Sequence, residues 1–490
     1  MLVLLLATAV RFAGLGTLPL TSGEADRALA ARSLLLGEAP GVWDEPTLEV
    51  LVAGAFFLFG ESEVTARLVP ALAGVLTVAL AWLFRPGWGR GPALGAAALL
   101  ALSPGMVAFS RSVGPESLVA ALLLALLWGI ERLARAPAPW VLPTLAALLA
   151  VLLHLGSAAV TALLVLAGVS ATRWAVAGCA HPSALRDALG HDRDRAAFVG
   201  VAFLIPFTLI GSGGFLYPVG FGFPSLLAWL TAFEPGAGEV GVFPWLTLAL
   251  YDPAAVVLGT LGTGAALARS RRQSGPSARL LWAGGGLLAA ALVPDSGGLL
   301  TALLPLLMLG GGPVGRVWEE MAPSTRRCGG LVFPVAAALG GVLTLGTIHS
   351  LAYLNFVAGP TEWFGEPRPD RATLTLLRTL QPRHPAAAPH LLTASDLAVD
   401  QNLPAPVRWA LRDRGGVRYV SNASEGPALV LVADAPERPN LSGYTARSLP
   451  LETRWRPDRV DLPGLWRWFL VRAAYGAAPG ERRLTLYQRS

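Results

Sequence analysis

LPLTSGEADRALAARSLLLGEAPGVWDEPTLEVLVAGAFFLFG, residues 18–60, is the stretch that decides how this chain is read. It lies between two apolar runs and holds Glu24, Asp26, Glu38, Asp44, Glu45 and Glu49, in a chain of which only 14% is charged. An acidic loop pressed against a membrane either performs chemistry there or is what remains of a site that did.

The rest of the composition sets the solvent. The 490 residues are 53% hydrophobic, with a mean hydropathy of +0.54. That is too apolar for a soluble protein of this size and indicates an all-α polytopic membrane protein. The 55 glycines and 39 prolines fit broken, closely packed transmembrane helices. The basic side chains are all arginine, and the net charge of +6 does not point to nucleic acid. These arginines sit in short loops between spans, where they set topology. Two cysteines, Cys179 and Cys328, make no disulfide framework. The first span lacks an A-x-A-like site and many spans follow it, so it does not read as a cleavable leader.

Apolar windows of roughly spanning length begin with Met1–Leu20, interrupted by Arg11. They continue at Val64–Phe84, Gly91–Phe109, Ser117–Ile130, Trp140–Leu153, Gly156–Ala171, Ala196–Gly211, Phe243–Ala268, Leu280–Val293, Leu299–Gly311 and Leu331–Leu351, about eleven spans in all. Arg85, Arg90, Arg132, Arg135, Arg173, Arg195, Arg269, Arg279 and Arg316 fall in alternate loops. The loop 212–242 carries Glu234 and Glu239 and no arginine. The positive-inside rule then puts the N-terminus in the cytoplasm of a plasma-membrane protein, with the acidic loop outside. An odd number of spans leaves the C-terminal region outside as well, and both cysteines on the reducing side. After about Phe356 the chain turns polar. Strand-like runs at His390–Thr393, Val417–Val420, Ala428–Val432 and Arg483–Gln488, with helix-like stretches at Arg371–Leu380 and Pro406–Arg414, indicate a small extracytoplasmic α/β domain over 356–490. The transmembrane domain spans 1–355.

Several stretches carry a resemblance. GEADRALAARSLLLG (23–37), FFLFGESEVTARLVPALAGVLTVAL (56–80) and LSPGMVAFSRSVGPESLVAALL (102–123) resemble the protein O-mannosyltransferase and aminoarabinose-transferase group of GT-C membrane glycosyltransferases. The resemblance is closest to its archaeal and bacterial flippase-activity-associated branch. In the tail, 394–420, ALVLVAD (428–434), 441–458 and LWRWFLVRAAYG (465–476) follow that branch's pattern.

The resemblance implies transfer of a sugar from a polyprenyl-phosphate donor in the bilayer to an acceptor hydroxyl on the outer face, with inversion at the anomeric carbon. It implies a carboxylate base, a cation for the leaving phosphate and, in some members, a carboxylate-held divalent metal ion. The family's Asp-Glu pair reads Gly23-Glu24 here, so Glu24 is the matching base candidate and Asp26 its substitute. The bland alternative is an acidic first helical turn. The family's His-Gly-Pro reads Asp44-Glu45-Pro46, which makes Asp44 a site-lining candidate. FSR is kept at Phe109–Arg111, so Arg111 is the phosphate-binding candidate. Glu116 is a supporting acid, unless the two merely anchor helix ends. Pro244 and Trp245 remain of a Pro-Trp-Tyr-Tyr run; Trp245 lines the site or, with Tyr251, anchors at the interface. His154 reads as a packed core residue, and no metal-ligand cluster is evident.

Scaffold positions match the family while several polar positions do not. Two functions follow. One is a polyprenyl-phosphate-sugar-dependent glycosyltransferase with membrane lipid and lipid-linked sugar as its partners. The other is a non-catalytic GT-C-fold subunit or scaffold bound to other membrane subunits.

Overall fold

A computed structural model describes residues 1–38, 43–135, 138–176, 193–214, 224–231, 233, 242–270, 278–293, 296–320, 332–357, 362, 369–379, 397–400, 402–413, 417–420, 429–433, 442–455, 461–476 and 480–489. The chain forms two compact units. One comprises Met1–Leu15 and Ala30–Phe356, the other Gly16–Leu29 and Val357–Ser490. Part of the acidic loop therefore groups with the C-terminal region.

In the first unit the apolar windows are helices. Five are long and apolar enough to cross a membrane: Glu63–Trp88, Glu116–Arg135, Gly156–Ala175, Asp194–Gly211 and Gly297–Val317. Two bent pairs raise the number to seven. Among the described residues this is fewer than the eleven or so expected from hydropathy windows, because a window counts composition and not helical length. Leu2–Phe12, Val141–Leu152 and Ala278–Leu292 have 11, 12 and 15 residues. At 1.5 Å per residue they reach only about 17–23 Å, against a hydrocarbon core of about 30 Å. Val332–Ala352, with 21 residues and no acid or arginine, is a further apolar helix. Pro46–Phe59, read within the acidic loop, is itself an apolar helix of 14 residues.

Glycine holds the bundle together. The Ser296–Glu320 helix is its most enclosed long element. A Cβ at Gly311 would meet the backbone of Pro92 and Ala96 in Arg90–Leu102. One at Gly262, in Pro253–Ser270, would meet the carbonyl of Leu309, and one at Gly286, in Ala278–Leu292, the carbonyl of Thr301. Lipid offers no hydrophobic drive between helices, so close backbone approach at small residues supplies the packing. The exposed side chains Phe57, Leu58, Leu72, Leu76 and Leu345 leave an apolar outer surface.

Both bends occur where a proline follows the break. Arg90–Leu102 turns by 58° into Pro104–Arg111 after Ser103, and the helix ending at Tyr251 turns by 106° into Pro253–Ser270 after Asp252. Proline cannot supply the N–H that would carry a helix through such a point.

In the second unit, β1 (Leu397–Asp400), β2 (Val417–Val420), β3 (Leu429–Ala433), β4 (Tyr444–Arg454) and β5 (Gly480–Arg489) form one sheet in the order β2-β1-β3-β5-β4. β1 runs parallel to β2 and β3, while β5 is antiparallel to β3 and β4. Leu397, Val399 and Leu431 pack on one face with Val407 and Leu411 of the Ala405–Leu411 helix; Ala398, Val430 and Tyr487 pack on the other. Burial on both faces explains why β3 reads as a short apolar run without alternation; β1, only four residues long, was not foreseen from the sequence. β4 carries Arg447, Pro450 and Glu452, and its polar composition hid it from the sequence reading. The run at His390–Thr393 lies outside the described residues.

Candidate active site

The sequence candidates fall into different places. Glu24 and Asp26 belong to the second unit; Asp44, Arg111, Glu116 and Trp245 belong to the first.

Glu24 is buried in the first turn of the Ser22–Leu35 helix. Its Oε2 accepts the Thr21 N–H at 2.9 Å, and the Thr21 hydroxyl oxygen accepts the Glu24 N–H at 3.3 Å. This is a reciprocal capping box, which the T-x-x-E spacing of Thr21-Ser22-Gly23-Glu24 announces. Asp26 pairs with Arg408 at 2.8 Å, both side chains well exposed. Ser22 Oγ donates to Glu452 of β4 at 2.6 Å. These links tie the start of the helix to the sheet domain.

Arg111 ends the Pro104–Arg111 helix and is buried. Its Nη1 donates to the carbonyls of Val10, Arg11 and Ala13 at 3.1, 3.1 and 2.7 Å, its Nη2 to Gly14 at 3.2 Å. Its guanidinium carbon lies 4.5 Å from the centre of the Phe356 ring. The last carbonyls of Leu2–Phe12 have no intrahelical partner, so the cation caps that helix. The relation is mutual. Arg11 Nη2 donates to Leu100 at 2.9 Å and Nη1 to Ala101 at 3.2 Å, capping Arg90–Leu102. Gly74 makes room for it, since a Cβ there would meet Arg11 Nε and Ser110. A phosphate role for Arg111 would fall to a guanidinium that also serves these carbonyls. Glu116, also buried, opens the next helix, with its carboxylate folded over the Cα of Gly114.

The two breaks meet. Asp252 Oδ2 accepts the N–H of Gly105 at 2.8 Å, and Asn355 Nδ2 donates to the carbonyl of Pro104 at 3.3 Å. A buried carboxylate thus closes the open N-terminus of Pro104–Arg111. The sequence reading missed Asp252; its position before a proline inside an apolar window was the available signal. Tyr251, expected at the interface, is 1% exposed and belongs to the core, while Trp245 is half-buried.

Asp44 lies in an acidic segment held through its neighbours and its own carbonyl. Trp43 Nε1 donates to the carbonyl of Gly211 at 3.1 Å, and Ser225 Oγ donates to the carbonyl of Asp44 at 3.2 Å and accepts from Gly156 N at 2.9 Å. Thr47 donates through Oγ1 to Val151 at 3.0 Å and through its N–H to His154 at 3.1 Å. The Asp44 side chain stays exposed, while Glu45 is buried against Gly156, whose φ of +73° and lack of a Cβ admit it. His154, fully buried, donates from Nε2 to Phe207 O at 3.1 Å; its Nδ1 has no partner among the described residues. Two separate sequence candidates, Asp44-Glu45 and His154, thus belong to one cluster. Arg173 and Arg195 lie at the far ends of the two helices whose Gly156 and Gly211 ends hold it.

The comparisons address the fold as a whole. Residues 44–186 match the dolichyl-phosphate-mannose-protein mannosyltransferase family. The chain superposes on ArnT from Cupriavidus metallidurans bound to undecaprenyl phosphate with a TM-score of 0.60, covering 99% of this chain and 97% of that one at 13% identity. The chain has the GT-C glycosyltransferase fold. The archaeal oligosaccharyltransferase AglB from Archaeoglobus fulgidus, in complex with an inhibitory peptide and a dolichol-phosphate, matches with a TM-score of 0.55 at 12% identity, over 85% of this chain and 63% of that one. A further structure of the Archaeoglobus fulgidus oligosaccharyltransferase, complexed with Zn and sulfate, matches at 0.53 and 15% identity over 84% and 61%. No curated protein matches by sequence.

A GT-C fold with a divalent metal needs a donor set. Among the described residues no three His, Cys, Asp or Glu side chains are placed to hold one.

Proposed function

We propose that this chain is a membrane glycosyltransferase. It takes its sugar from a polyprenyl-phosphate carrier and transfers it to a hydroxyl on the outer face of the plasma membrane. The single observation behind this is the GT-C fold over nearly the full length, shared with a protein bound to undecaprenyl phosphate. The orientation follows the positive-inside rule: N-terminus in the cytoplasm, acidic segments and sheet domain outside.

Asp44 is the base in this reading. A general base needs a fixed backbone and a side chain that solvent reaches; the Asp44 carbonyl is held by Ser225 and the residue is exposed. It takes the proton of the acceptor hydroxyl as that oxygen bonds to the anomeric carbon; the bond from that carbon to the phosphate oxygen breaks, and polyprenyl phosphate leaves. Glu24 and Asp26 hold the Ser22–Leu35 helix, and Arg111 and Glu116 hold helix ends elsewhere in the first unit.

The test uses the full chain in proteoliposomes with a panel of polyprenyl-phosphate-linked hexoses and a panel of hydroxyl acceptors (lipid-linked sugars and Ser/Thr peptides), measuring release of polyprenyl phosphate. Release should fall by about 10²–10⁴-fold in Asp44→Asn. Absence of release with every hexose, or equal release by the variant, overturns the assignment.

The second reading, a non-catalytic subunit of a membrane assembly, draws on a specific pattern. Glu24, Asp26 and Arg111 each have a structural partner. Co-purification of stoichiometric membrane partners together with a silent release assay favours it.

A further inference from the structure

The helices that meet at the Ser103 and Asp252 breaks have other ends, and those ends form a cleft. It has a volume of about 120 Å³ and is lined by Trp88, Pro92, Arg269, Leu309, Arg279 and Arg316. Arg90–Leu102 runs from this cleft to the Ser103 break, and Pro253–Ser270 from the Asp252 break to the cleft. The cleft therefore lies at the arginine-rich end, about 18–26 Å along the helices from the breaks.

Its chemistry is that of an anion site. Three guanidiniums line one concavity, and among the described residues none of the three makes an ion pair. Arg269 Nε donates to Ala265 O within its own helix at 3.1 Å. Arg279 lies 4.3 Å over the Trp88 ring and donates from Nη2 to Gly87 O at 3.2 Å, which leaves its other donors for a ligand. Glu131, across Gly87, is ion-paired with Arg135 and attracts Arg279 only from beyond ion-pair distance. The bland reading takes these arginines as topology markers. Topology needs only charge in a loop, freely solvated. Arg279 instead is half-buried, stacked, and second in the Ala278–Leu292 helix, where the dipole disfavours a cation. An anion resolves that conflict. The guanidinium fork matches phosphate oxygens, and basic clefts between helices at the cytoplasmic headgroup level collect anionic lipids. One water needs about 10–15 Å³, so the cleft has room for a phosphate and its hydration.

We propose that this cleft binds a phosphate anion, lipid-borne or free, at the face opposite the Asp44 segment. The site is independent of the transferase reading and stands or falls without it.

The experiment uses the purified full chain in a non-ionic detergent. Its thermal midpoint is followed on titration with phosphatidylglycerol, phosphatidylcholine or inorganic phosphate. The wild type should gain a saturable rise with phosphatidylglycerol or with inorganic phosphate, and none with phosphatidylcholine. Arg279→Gln and, in case it folds poorly, Arg316→Gln should bind about ten- to a hundredfold more weakly. Arg173→Gln, an exposed arginine elsewhere, should bind as the wild type does. A response to phosphatidylglycerol alone assigns the anion to lipid; a response to inorganic phosphate assigns it to the free ion. An equal rise with phosphatidylcholine, or undiminished binding by both variants, overturns the site.

Discussion

Replacing Arg111 by glutamine separates two tasks that one side chain could have. As a cap, Arg111 serves four carbonyls at the end of Leu2–Phe12 and stacks on Phe356. A hydrogen bond from a charged donor contributes about 1.5–3 kcal/mol net, and carbonyls left buried without partners add a penalty of similar size. The ring contact contributes about 1 kcal/mol. Glutamine restores one bond at most, so Arg111→Gln should lose about 3–5 kcal/mol before any ligand is present. The assay is SDS-induced unfolding of the full chain in mixed micelles, followed by tryptophan fluorescence, with and without polyprenyl phosphate. A cap predicts earlier unfolding in both conditions and an unchanged increment from the lipid. If the variant unfolds with the wild type in the absence of lipid and loses only the increment, Arg111 is a phosphate ligand and the capping argument fails.

Other outcomes follow from particular contacts. Gly262→Val should destabilise by more than about 3 kcal/mol, because its side chain meets the Leu309 backbone. Gly264→Val on the same helix, with nothing within 4 Å, should leave the melt unchanged. Asp252→Ala removes the acceptor for Gly105 N–H and should cost about 2 kcal/mol in the same SDS titration. Thr21→Ala should cost about 1 kcal/mol by opening the capping box, whereas Glu24→Gln keeps the box and should melt as the wild type does. Loss of polyprenyl-phosphate release in that well-folded Glu24→Gln variant would return the base role to Glu24 and remove it from Asp44.

Composition and local pattern were enough for the architecture. The apolar windows coincide with helices because burial in lipid demands internally satisfied backbone, and a long apolar run has no other way to provide it. Val417–Val420, Ala428–Val432 and Arg483–Gln488 were legible as strands from short apolar or alternating runs rich in valine and leucine, and the Thr21–Glu24 box was legible from spacing alone. What the chain's order concealed are contacts between residues far apart. Arg111 finds its carbonyls about a hundred positions away. Asp26 meets Arg408 across 382 positions, and Thr47 meets the carbonyl of His154 across a third of the bundle's sequence. A charged residue's task is set by whichever buried donor or acceptor folding brings to it, and in a low-dielectric interior that partner outweighs any local preference. Sequence alone therefore decided that this is a helical membrane bundle with a small sheet domain. Only the tertiary structure decided which charges hold helix ends together and which lie exposed.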